Sequence, residues 1–247
     1  MEREKSVMST SSPNIEKNHN SRRNFLKIGS LAVVGSSLLL SCSDDDSDIV
    51  MPPTEVFDLG AGDLGILNYA YALEQLEAAF YKNVMDGGYW ASAGAEEQLI
   101  LEDLYKHEEI HRLFFKTAIT AAVNGDNSKV LPNLEFDFSS VDFSNRNSVL
   151  QTAMVLEDTG VAAYNGAGQF IQTPAYLVLA GKIVSVEARH ASAIRSIFSD
   201  NPAAFAGDDV IDSNGLDLAK TPAQILAAVG DTGFVKTKFT ANQLPTS

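Results

Sequence analysis

Cysteine is nearly absent from this chain: Cys42 is the only one in 247 residues, beside one tryptophan and four histidines. A single thiol excludes intrachain disulfides and multi-thiolate metal sites. Basic charge is also scarce, with 18 Lys and Arg against 32 Asp and Glu, a formal net charge of −14. Such a surface disfavours nucleic acid and anionic membranes as direct partners. Long apolar runs are missing too. The most apolar stretch, residues 28–40, falls short of the roughly 20 apolar residues that a membrane-spanning helix needs.

That stretch sits where an export signal would. Residues 21–27, S-R-R-N-F-L-K, form a basic region ahead of the apolar one. The tandem Arg22–Arg23 with Phe25, Leu26 and Lys27 resembles the twin-arginine export signal. The apolar region ends in L-L-S-C, which resembles a lipobox in which Cys42 is lipidated and becomes the mature N-terminus. Residues 1–41 are therefore expected to be a twin-arginine lipoprotein signal, and residues 42–60, opening S-D-D-D-S-D after the cysteine, an acidic flexible tether. The expected location is the cell envelope, lipid-anchored at Cys42, on the periplasmic side or the outer-membrane surface, with membrane contact only through the anchor. The signal holds 6 of the 18 basic and 3 of the 32 acidic residues, which leaves 12 basic and 29 acidic in the mature chain.

The remainder reads as all-α. Apolar residues recur with a 3.6-residue period over residues 63–83, with Asp63 as N-cap, and over 95–123, 148–171 and 174–199. About 24 residues separate the second helix from the third, far more than the usual link within a compact domain. The expected architecture is a four-helix bundle over residues 61–199 with one long crossover between helices 2 and 3. A loop-rich C-terminal extension, residues 200–247, would carry a short helix at 221–229, with Thr221 as cap and Pro222 in its first turn.

Carboxylates and imidazoles stand on the apolar faces of these helices. The first contains Glu74 and, seven residues on, Tyr81; the third contains Glu157 and Tyr164 at the same spacing. The second contains H-E-E-I-H, with Glu108 and His111 three apart; the fourth contains V-E-A-R-H, with Glu187 and His190 three apart. The order E, ExxH, crossover, E, ExxH is an internal duplication of a helical hairpin. Residues three apart share a helix face, so each Glu–His pair can address one ion. Four buried carboxylates without counter-charge would cost several kcal/mol each. Two divalent cations would neutralise them and accept two neutral imidazoles. Carboxylate-rich ligation with one histidine per metal suits iron or manganese better than structural zinc or copper.

This pattern resembles the ferritin-like di-metal carboxylate superfamily, especially its exported bacterial ferritin-like domain proteins, over about residues 63–199. The resemblance implies a ferritin-like four-helix bundle with Glu74, Glu108 and His111 at one metal and Glu157, Glu187 and His190 at the other. It implies Glu108 and Glu187 as bridging carboxylates, and Tyr81 and Tyr164 as groups behind the ligands at the ends of the site. Glu77 is the rival of Glu74, but its counterpart in the second half is Gly160, and the internal symmetry favours Glu74. His107 precedes Glu108 by one residue and is expected at the surface or as a satellite of the site. Glu109 and Asp158 are expected to be solvated, Arg189 and Arg195 to be surface or ion-pair groups, and Trp90, Phe136, Phe138 and Phe143 to seal the bundle from outside. The resemblance implies two divalent ions, Fe or Mn, as cofactors and a small oxidant, oxygen or peroxide, as partner. The activity would be di-metal oxidation or peroxide disproportionation, in a stress-protective role. The alternative is an envelope scaffold with a structural or vestigial metal site. Paired bundles are common in the superfamily, so a homodimer is a further expectation.

Overall fold

The computed structural model describes residues 56–246. The expected signal, Cys42 and most of the expected tether lie outside the described residues. Strand β1, Phe57–Asp58, comes first, followed by helices α1 (Gly62–Asp86), α2 (Gly88–Ser92), α3 (Ala95–Ala122), α4 (Arg146–Gly168), α5 (Pro174–Phe198) and α6 (Pro222–Thr232), and strand β2, Phe239–Thr240. The four long helices form the bundle. α1 packs along α3 and α4 along α5, so the chain is two helical hairpins laid together through α1 against α4 and α3 against α5. The expected long crossover joins α3 to α4. No described helix is long and apolar enough to cross a membrane.

Helix starts and stops follow local chemistry. Asn145 caps α4 by accepting from the amides of Asn147 and Ser148. Pro174 opens α5 and Pro222 opens α6, where a missing N–H costs nothing. Thr221 and Gln224 form a reciprocal capping box, and Gly233, in the left-handed conformation, ends α6. Asp63 is not the N-cap of α1; Ala61 occupies that position without a side-chain bond. The Asp63 carboxylate instead accepts from the amides of Gln172 and Thr173, which ties the start of α1 to the turn between α4 and α5.

α1 is buried on nearly every side, because the crossover runs along its outer face. Two buried amides on α1 satisfy the crossover's backbone. Asn68 donates to the carbonyls of Leu59 and Lys129 and accepts from the amide of Leu131. Gln75 donates to Pro132 and accepts from Leu134. Leu131, Leu134 and Phe138 are buried beneath this segment. Phe138 packs against Phe80, Phe136 and Phe143, and Trp90 lies partly buried against the same core.

The segments flanking the bundle are docked on it. Residues 57–60 belong to the folded unit rather than to a tether: Phe57–Asp58 pairs in parallel with Phe239–Thr240, and Leu59 is fully buried. Arg195 of α5 is buried between Asp158 of α4 and Asp209 of the extension, with bonds of 2.7–3.1 Å. Asp158 is thus ion-paired rather than solvated, because the extension covers the face it was expected to show to water. Glu109 is half-exposed and pairs with Arg112. The extension lies close against Gly166, where an added Cβ would sit 1.8 Å from the Lys220 carbonyl oxygen. Lys220 also donates its amide to Ala162. Gly166→Ala is expected to lift this segment and lower stability by about 1–3 kcal/mol, the usual cost of overpacking. Thermal melting, with faster proteolytic cleavage after residue 200, is the measurement.

Candidate metal centre

The four long helices bring all six expected side chains to the middle of the bundle. Glu74 projects from α1, Glu108 and His111 from α3, Glu157 from α4, and Glu187 and His190 from α5. Glu74, Glu108, Glu157 and Glu187 are 0 % exposed, and His190 is 3 % exposed. Two sets of four residues, each offering one ligand atom, have those atoms within 4.8 Å of one another: Glu74, Glu108, His111 and Glu187, and Glu108, Glu157, Glu187 and His190. Glu108 and Glu187 belong to both.

The oxygens divide between the sets. His111 Nδ1 lies 3.3 Å from Glu74 Oε2, 3.6 Å from Glu108 Oε2 and 2.9 Å from Glu187 Oε1. His190 Nδ1 lies 2.7 Å from Glu108 Oε1, 3.5 Å from Glu157 Oε2 and 3.8 Å from Glu187 Oε2. Despite these distances, none of the eight atoms has a hydrogen-bond partner of acceptable geometry. They surround two points instead of pointing at one another. Buried polar atoms are ordinarily paired, and eight orphans in one cluster need a common partner.

The opposite oxygens of the two unshared carboxylates are held from behind. Tyr81 of α1 donates to Glu157 Oε1 at 2.6 Å, and Tyr164 of α4 donates to Glu74 Oε1. Each tyrosine therefore serves the carboxylate of the other hairpin, and the free oxygen of each Glu turns inward.

The electrostatics describe a cluster with too much negative charge. Burial pushes Glu74, Glu108 and Glu157 above the ordinary carboxylate range, and the charge of Glu187 adds to this at each. Burial also pushes Glu187 up, but His111 and His190 outweigh it and hold that carboxyl below its usual value. Burial disfavours charge on the two imidazoles, yet the carboxylates around them prevail: His111 is raised far above its usual value and His190 is pushed up to about 12. Two protonated imidazoles are the nearest the side chains come to supplying the missing positive charge.

Two residues break the symmetry of the hairpins. Glu77 is buried at 3 %, with Oε2 unpartnered, and the carboxylates of both sets push its carboxyl well up after burial itself. Its counterpart Gly160 makes the room: a Cβ there would stand 2.9 Å from Glu77 Oε1. Glu77 belongs to neither four-residue set. His107 lies at the surface of α3, but its Nδ1 is 2.9 Å from His190 Nε2 and the rings stack at 11°. Val186 stands at the matching position on α5, so His111 has no such neighbour.

A family model for a ferritin-like domain matches residues 62–200. The chain belongs to the ferritin-like domain family. The match begins with α1 and ends just beyond α5, so it covers the bundle and leaves out the C-terminal extension. A search of curated proteins finds no match to the chain. In this ferritin-like domain the buried carboxylates and histidines fit divalent metal ions: the donor set is hard oxygen with one imidazole per position, and its inward atoms lack any other partner.

Proposed function

We propose that the protein holds two divalent ions, iron or manganese, one among Glu74, Glu108, His111 and Glu187 and one among Glu108, Glu157, Glu187 and His190, and uses them in redox chemistry with peroxide or dioxygen. The observation that carries this reading is the set of eight buried, unpartnered ligand atoms divided evenly about two points, with two carboxylates common to both. Such a pair of ions supplies one-electron oxidation at each metal, and so a two-electron exchange with a small oxidant. The protein's own groups prepare the place. Tyr81 and Tyr164 orient Glu157 and Glu74. With Nδ1 of His190 unprotonated toward a metal, its Nε2–H donates to His107, which fixes ring and tautomer.

The site can be reached from the surface. A groove of about 430 Å³ between α3 and α5 is walled by Leu104, His107, Ile110, Val186 and Arg189 and reaches the edges of His111 and His190. An export signal of the twin-arginine kind fits this reading, since folded export lets the metal be chosen in the cytoplasm. The lipid anchor at Cys42 would then place the domain at the cell envelope, as a stress-protective protein.

Elemental analysis of protein produced by its native route tests the site. About two equivalents of iron plus manganese are expected, falling to about one in His190→Ala, since His190 belongs to a single set. Less than about half an equivalent, unchanged in that variant, would reject the site. Rapid mixing of loaded protein with peroxide or dioxygen tests the chemistry, and an optical change with turnover is expected. Its absence with full metal content would favour an envelope scaffold with a structural metal.

A further inference from the structure

The bundle carries an apolar cavity at one end. Beyond Glu74, His111 and Glu187 lies a cavity of about 40 Å³. Its inner wall is one turn from the site on three helices: Ala70 precedes Glu74, Phe115 follows His111, and Ile183 precedes Glu187, each by four residues. Tyr164, whose hydroxyl is committed to Glu74, completes that wall. The mouth is apolar as well, with Phe114 at 37 % exposure beside Tyr176. At the other end of the bundle bulkier residues stand at the matching positions. The symmetry that relates the hairpins places Leu101 where the cavity has Ala180, and Ile197 where it has Ala118.

Size and chemistry select the occupant. An apolar cavity of about 150 Å³ takes benzene or xenon, and one of about 10–15 Å³ just admits a water. Forty cubic ångströms suits a diatomic molecule and excludes an aromatic ring. A buried water needs two to four polar partners. Three tyrosines line the space: the Tyr164 hydroxyl already donates to Glu74, Tyr69 is 1 % exposed with its hydroxyl unpartnered, and Tyr176 stands at the mouth; the rest of the lining is apolar. Peroxide, which must donate and accept several hydrogen bonds, suits the groove at His107 instead.

We propose that this cavity binds dioxygen and delivers it to the Glu74–His111–Glu187 end of the centre, by a dry route separate from the groove between α3 and α5. The delivery role rests on the redox reading above; the binding does not.

The test uses the full chain and two plugged variants, Ala118→Ile and Ala180→Leu, which install the residues found at the symmetry-related positions. Xenon-pressurised crystals are expected to show xenon in the parent cavity and none in the variants. With both ions loaded as Fe(II), the variants are expected to keep their metal content and their rate of oxidation by peroxide. Oxidation by dioxygen should slow roughly tenfold, equivalent to about 1.4 kcal/mol of barrier. Two variants on different helices guard against one failing to fold. A parent cavity without xenon overturns the binding site. Xenon bound, with dioxygen oxidation equally fast in plugged variants, overturns the route. Xenon bound in a parent that neither oxidant oxidises overturns the redox reading, and the delivery role with it.

Discussion

Glu108→Leu is expected to strip both metal ions from the protein and, at the same time, to raise the melting temperature of the metal-free form. The two effects have one cause. Glu108 turns Oε1 toward His190 and Oε2 toward His111, so its loss removes a ligand from each position. Without metal, however, this carboxylate is a liability, fully buried, unpartnered at both oxygens, and set against the charge of Glu187. Replacing a buried ion pair by apolar groups of similar volume is commonly neutral or stabilising by about 1–4 kcal/mol. Here only one carboxylate of a crowded cluster goes, while His111 keeps Glu74 and Glu187 and His190 keeps Glu157 and Glu187 beside it. In a domain of this size each kcal/mol moves the midpoint by roughly 2–4 °C. Glu74→Leu is the control. Glu74 belongs to a single set, so that variant should retain close to one equivalent of metal. Elemental analysis and melting of chelated protein in one buffer read both quantities. A Glu108→Leu protein with two equivalents would remove the shared-carboxylate geometry from the proposal, and one that melts lower when metal-free would mean Glu108 is a structural group.

The cost of burying these carboxylates is also why the candidate centre is legible in the sequence. A carboxylate on an apolar stripe is expensive, so its position in the sequence is informative. Six such positions, repeated as E and ExxH in two hairpins, leave little freedom in where they meet. The bundle and its crossover followed from helix period and loop length. What escaped the sequence depends on contacts with no periodic signature. The burial of Asp158 depends on the extension folding back through Asp209 onto Arg195. Asp63 looks like a cap to any local reading and is drawn instead to the amides of a turn 109 residues away. His107 stands at the surface beside the site, as expected, and the seam between α3 and α5 supplies its contact with His190, which the sequence left open. Glu77 was visible as a rival to Glu74; that it is an additional buried carboxylate follows from the space at Gly160, which symmetry alone had treated as a missing partner.

The metal-free protein is expected to lose stability steadily as pH rises from about 5 to 9, and the metal-loaded protein is not. The sign follows from the direction of each shift. Glu74, Glu77, Glu108 and Glu157 have folded-state values above their unfolded ones. A raised carboxyl binds its proton better in the native state, so its contribution is fully present below the unfolded value near 4.5 and fades as pH climbs through the folded value. His111 and His190 are also raised, the latter to about 12, so their contribution is complete below the unfolded value near 6.5 and fades above it. Glu187 alone runs the other way, its lowered carboxyl favouring the native state above its unfolded value. Six groups against one give a melting temperature that falls with pH across this window. Metal ions replace the protons on these ligands, so binding releases protons and tightens as pH rises. The gap between loaded and metal-free melting temperatures should therefore widen from pH 5 to pH 9. A constant gap would mean that metal enters without displacing protons from the cluster, and would place it somewhere other than among these carboxylates and imidazoles.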